Sequence, residues 1–263
     1  MASVFQFASG PRTGKTASRE FRLEHALLEL QRKNEELDRA AKARAEFSTM
    51  CTFILLSLCL YTLLTAWMER VAKLDMTPNG PAALCVSLGT VLVTIPLLLV
   101  HIWRHDLKRE HVGLRLANWK RSILEALVVS VAAFPILAAC KWLLVLHDPD
   151  FLGKPVLNWS YWDPWLPLYV LFAPAQELVA RGVQSSIERF LPMRHRSALA
   201  VVLTSIAFGV MHLHYSFRMA MIATSGSIVF GAMFLRQRTL IGVSLAHFIL
   251  GALISGPFQL MLN

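Results

Sequence analysis

Apolar and polar positions along this chain form three successive patterns. Residues 1–18 have no periodicity, with Gly10, Pro11 and Gly14 among scattered Ser and Thr, and read as a disordered N-terminus. Leu23, Leu27, Leu30, Asn34, Leu37 and Ala41 then recur at 4-3-4-3-4 spacing, with Glu, Lys and Arg between them. That is a heptad pattern, and it predicts a cytoplasmic helix over 19–46. Asn34 at an a position favours parallel pairing, so a homodimer through residues 23–44 is one reading. A solvated amphipathic helix lying against the membrane or the domain is the other. From residue 47 the pattern becomes long apolar runs with short polar breaks. The runs are Phe47–Met68, Ala82–Trp103, Ser122–Leu146, Trp165–Phe190, Ala198–His212, Met219–Leu235 and Thr239–Leu262.

A helix needs about 20 apolar residues to cross a hydrocarbon core of about 30 Å. The expected fold is therefore all-α: a polytopic membrane bundle of about seven transmembrane helices behind an amphipathic or coiled-coil helix. Residues 47–103 hold two transmembrane helices and 104–263 the rest. Pro135 and Pro174 are expected to kink their helices or end them early. Leu107–Trp119, with apolar residues among basic ones, reads as a short interfacial helix, with a plain basic loop as the alternative. Trp159, Trp162 and Trp165 cluster as an interfacial aromatic belt would.

Composition agrees with a membrane protein. Hydrophobic residues make up 55% and charged ones 16%, with mean hydropathy +0.50. This excludes an ordinary soluble domain. The net charge of +9 raises nucleic acid as a partner, but the basic residues lie where membrane topology puts them, so no nucleic acid is expected. One set of loops holds Arg104, Lys108, Arg109, Arg115, Lys120, Arg121, Arg189, Arg194, Arg196, Arg236 and Arg238. The alternate loops hold only Arg70, Lys73, Lys154 and Arg218. That bias predicts a cytoplasmic N-terminus and, with seven spans, a C-terminus outside. Cys51, Cys59, Cys85 and Cys140 lie in apolar runs without a CxxC pair, which argues against a disulfide framework or a zinc knuckle.

Candidate chemistry sits in three polar islands of the C-terminal half. The first is Pro174–Arg181, with Gln176, Glu177 and Arg181. Glu177 and Arg181 are four residues apart, so a helix places them on one face one turn apart. Ionisable residues at membrane depth are costly and usually paired. The second island runs from Phe208 to His212, with His214 beyond it, and the third holds His247 and Gly251. A glutamate facing histidines in a bundle core can activate a water, directly or through a metal. A single buried histidine is more often structural; three such islands favour a site.

These residues resemble a known family. Ala173–Gly182 resembles the EExxxRG motif of the CPBP family, which comprises CAAX prenyl proteases of the second type, bacteriocin-processing and self-immunity proteins, and relatives once called Abi. Phe208–His212 resembles its FxxxH, and His247–Gly251 falls where its HxxxN should be. The resemblance covers roughly Val112–Ala252 and makes 104–263 a CPBP-like intramembrane peptidase core. It implies an intramembrane endopeptidase, a hydrolase whose first motif glutamate and FxxxH histidine activate a water while the last histidine and asparagine stabilise the oxyanion. Its implied partners are the lipid bilayer and a membrane-embedded or lipid-modified peptide substrate. A divalent metal such as zinc, on Glu177, His212 and His247, is a further implied candidate. Separately, Leu30–Phe47 resembles the linker helix leading into sensor histidine kinases, but the phosphoacceptor histidine is absent. That linker, with the habit of the family, points to a prokaryotic inner (cytoplasmic) membrane.

Carried over, the catalytic candidates are Gln176, Glu177, His212 and His247, with Arg181, Phe208 and Gly251 in supporting positions. Two depart from the pattern: Gln176 stands where the first glutamate should be, and Gly251 where the asparagine should be. An amide cannot take a proton from water at neutral pH, and glycine offers no side-chain donor to an oxyanion. Glu177 is about 100° around the helix from position 176 and does not simply replace it. Three readings follow: a peptidase with a rearranged base, a catalytically silent relative acting as a peptide-binding scaffold, immunity or signalling protein, and a generic seven-span sensor or transporter. The last leaves the ordered motifs unexplained.

Overall fold

The structure is a computed structural model that describes residues 14–70, 81–104, 109–162, 166–191, 193–213 and 215–260. The described residues form seven α-helices and no strand: α1 (Gly14–Arg70), α2 (Pro81–Arg104), α3 (Trp119–His147), α4 (Leu166–Phe190), α5 (Arg196–Val210), α6 (Phe217–Gln237) and α7 (Leu240–Ser255). Most of the expected disordered N-terminus, together with Leu107, Trp165 and His214, lies outside the described residues.

The chain divides into two compact units, Met1–Ala45 and Glu46–Asn263. In the first, the heptad positions Leu23, Leu27, Leu30 and Leu37 lie on α1 with their side chains exposed. Arg32 with Glu36 and Arg39 with Glu35 make exposed pairs one helical turn apart.

In the second unit, α3 packs on α7, α4 on α5 and α7, α5 and α7 on α6, and α2 on α4. Helix α3 is arranged inside out. Leu124, Val128, Val131, Ile136 and Leu146 face outward, whereas its buried positions are Ser122, Ala126, Ser130 and Lys141. Apolar outside and small or polar inside suits a helix solvated by lipid, where small residues allow close approach and polar ones need protein partners. Lys141, fully buried, places its Nζ 4.0 Å from the Phe151 ring centroid, and the Arg218 guanidinium lies 4.5 Å from the same centroid. The α5–α6 contact is close because Gly209 presents no Cβ to Ala220 and Thr224.

By length and composition α3 and α6 can cross a bilayer; α5 and α7 are apolar but shorter, at 15 and 16 residues. Neither Pro135 nor Pro174 ends its helix, since α3 and α4 continue past them. The expected interfacial helix does not form. Residues 109–118 are turns and irregular backbone, Val112 is fully buried, and Gly113, at φ +81°, accepts a hydrogen bond from Leu240 N at 3.0 Å. This segment is tied into the bundle through its backbone, which a freely lying surface helix would not be.

The loops gather at two ends. At one, Arg238 makes a bidentate pair with Glu188, both contacts at 2.9 Å, and Ser197 donates to the same carboxylate at 2.6 Å. Arg189 pairs there with Glu46, and Thr239 donates to Arg115 O at 2.8 Å. At the other end Arg218 pairs with Asp148 at 3.1 Å, and Asn158 N donates to Pro257 O at 2.9 Å. The basic-rich loops therefore share one end of the bundle.

Candidate active site

Helix α4 carries the first island because its apolar residues cover one side while a polar row faces the bundle. Glu177, Arg181 and Gln184 are each fully buried. Arg181 Nε donates to Glu177 Oε2 at 2.9 Å, its Nη1 donates to Gln184 Oε1, and its Nη2 donates to Ser227 Oγ on α6 at 3.3 Å. Gln184 in turn donates to the Gly231 carbonyl at 3.2 Å. A side chain at position 231 would collide with this network: its Cβ would lie 2.8 Å from Arg181 Nη1 and 2.9 Å from Val201 Cγ1. The buried guanidinium is thus compensated from two helices, as burial of a charge requires.

The other oxygen of Glu177 reaches α7. His247 Nδ1 donates to Glu177 Oε1 at 2.7 Å. A carboxylate oxygen only accepts, so Nδ1 carries the proton and a neutral ring presents Nε2 as an acceptor. His212 is fixed in the same sense. Its Nδ1 donates to the Phe208 carbonyl at 2.8 Å, one turn back at the end of α5. The Phe208 ring lies 4.7 Å from the His212 ring and meets the His247 ring edge-on at 5.8 Å. Phe230 stacks on His247 at 5.2 Å. Phe208 therefore acts twice, through its carbonyl and through its ring.

A cavity of about 590 Å³ opens between α3, α4, α5, α6 and α7. Gln176, His212, His247 and Gly251 line its wall, as do Phe208 and Tyr169. Apolar residues such as Val129, Leu137 and Val229 make up much of the rest. Gln176 Oε1 is buried and, among the described residues, has no hydrogen-bond partner, so it faces this wall as an acceptor. Of the residues singled out in the sequence, Glu177 and Arg181 lie behind the wall rather than on it.

The arrangement does not suit a metal on Glu177, His212 and His247. Both Glu177 oxygens are engaged, one by Arg181 and one by His247. Among the described residues no three His, Cys, Asp or Glu side chains are grouped to hold a metal ion. Sequence reasoning passed over Gln184, Ser227 and Tyr169. The first lies three residues from Arg181 on the same helix face. Tyr169 lies seven residues before Gln176, two turns along one face of α4, and that spacing was the available signal.

Residues 157–253 match the family described as Type II CAAX prenyl endopeptidase Rce1-like. The match covers less than half of the chain and spans all three motifs. No curated protein and no solved structure shows a significant match to the chain.

Proposed function

We propose that this protein is an intramembrane endopeptidase of the CAAX prenyl protease type, hydrolysing a peptide bond inside the helix bundle with His212 as the base. The carrying observation is that Gln176, His212 and His247 share one apolar-walled cavity, with both histidines fixed in the tautomer that presents Nε2 as acceptor. In this reading Gln176 orients the water through its carbonyl oxygen without taking a proton. His212 Nε2 accepts the proton as the water attacks. His247 lines the same cavity from α7 as a second positioned imidazole, and Glu177 serves as its positioning residue. The apolar lining suits a membrane-embedded or lipid-modified peptide, and it limits competing water.

The surrounding architecture belongs to the same reading: seven membrane helices, a cytoplasmic N-terminus, and a homodimer through residues 23–44. Support comes from the inside-out pattern of α3, the gathering of basic loops at one end, and the exposed heptad leucines.

Gln176 favours a second reading, a silent relative that binds membrane peptides as a scaffold, immunity or signalling protein. One experiment separates the two. The purified full chain in nanodiscs is assayed on membrane-embedded and prenylated peptides, alongside His212→Ala and Gln176→Glu. Cleavage by wild type that is lost in His212→Ala supports the peptidase. Cleavage by Gln176→Glu alone supports the silent relative.

A further inference from the structure

Position 251 lacks the side chain that the motif calls for, and another residue occupies the space. We propose that the Tyr169 hydroxyl is the oxyanion donor of this site, in place of the asparagine side chain that Gly251 lacks; this rests on the peptidase reading. A Cβ at Gly251 would fall 2.6 Å from Tyr169 Cζ and closer still to Oη and Cε1. The end of the tyrosine therefore fills the volume in which a side chain at 251 would begin. Gly251 follows His247 by one helical turn on the same face of α7, so the hydroxyl is delivered beside that histidine. The Tyr169 ring meets His247 edge-on at 5.8 Å and 78°, and leans on Phe248 at 6.2 Å. Both Tyr169 and Gly251 line the cavity.

The chemistry asks for a donor at this end. His212 and His247 each use Nδ1–H on an acceptor of the protein, so in their neutral forms they offer acceptors to the cavity. A phenol is an uncharged donor and costs less to hold in an apolar wall than a cation. As the water oxygen bonds to the scissile carbonyl carbon, the carbonyl π pair moves onto its oxygen and one water proton passes to His212 Nε2. Tyr169 keeps its proton and hydrogen-bonds that oxygen. When the pair returns, the C–N bond breaks and His212 gives its proton to the leaving nitrogen, so peptide and water become acid and amine. Glycine at 251 and tyrosine at 169 thus form one exchange of side chains: an asparagine at 251 would displace the tyrosine.

The test uses the full chain in nanodiscs with the same two peptide probes. Tyr169→Phe removes only the hydroxyl; it is expected to lower kcat by about 10²–10³-fold, the usual effect of losing one oxyanion donor, with KM little changed and the melting temperature held. Gly251→Asn alone is expected to lose activity. Tyr169→Ala combined with Gly251→Asn is expected to recover at least about tenfold over Tyr169→Ala, because the amide then has room to donate. Full kcat in Tyr169→Phe, or a loss that merely tracks a lowered melting temperature without rescue by asparagine, overturns the assignment while leaving the peptidase reading intact. No cleavage by wild type overturns the peptidase reading, and this assignment with it.

Discussion

Glu177 on α4 and His247 on α7 are seventy positions apart in the chain and share a hydrogen bond of 2.7 Å inside the bundle. The same carboxylate holds Arg181 with its other oxygen. Glu177 is thus a junction between a buried cation and a cavity-lining imidazole. Truncating any of the three changes the other two, and the first two predictions follow from that.

Glu177→Gln keeps the shape but replaces an acceptor-only group with an amide that can present a donor to His247. The imidazole then loses its fixed tautomer. The expected outcome is a fall in kcat with little change in KM, smaller than that of His212→Ala, because Glu177 orients the second imidazole of the cavity and not the base. Steady-state kinetics on a cleaved peptide, with its pH profile, checks this; an unchanged kcat would show that Glu177 does not govern His247.

Arg181→Met removes one side of a fully buried ion pair and leaves Glu177, Gln184 and Ser227 without their shared donor. Breaking a buried pair in this way costs about 3–5 kcal/mol. The expected result is a lower melting temperature in detergent. The double variant Arg181→Met with Glu177→Leu should recover part of the loss, since an apolar pair leaves no buried charge.

Gly209→Leu drives a side chain into α6. Even its Cβ would lie 2.8 Å from the Ala220 carbonyl oxygen and would collide with Thr224. Overpacking of a tight contact costs about 1–3 kcal/mol or more. Because α5 carries Phe208 and leads to His212, activity is expected to fall along with thermal stability. Wild-type stability would mean that the α5–α6 contact yields easily.

The exposed heptad face of α1 is expected to pair with a second copy. Asn34→Cys should then give a symmetric disulfide-linked dimer under mild oxidation, read on a non-reducing gel. A chain that stays monomeric across protein concentrations would favour the lone amphipathic helix.

Much of this was legible in the order of residues. Each of the expected apolar runs from 82 onward corresponds to a helix, because apolar length and polar breaks are local properties that every residue reports. The pairing of Glu177 with Arg181 was legible too, since four residues make one turn of helix whatever surrounds it. Of the two outcomes expected at Pro135 and Pro174, early termination does not occur, because packing inside the bundle carries α3 and α4 past them.

Helical apolar runs, three ordered polar islands and the departures at Gln176 and Gly251 are all readable along the chain. What each polar group faces came from the packing of the helices. That packing turned Glu177 away from the cavity and onto His247, gave Phe208 its double contact, and placed Tyr169 over Gly251. The physical reason is range. Helical periodicity acts over a few residues, whereas a 2.7 Å contact between α4 and α7 depends on how whole helices pack, and no spacing along the chain encodes it.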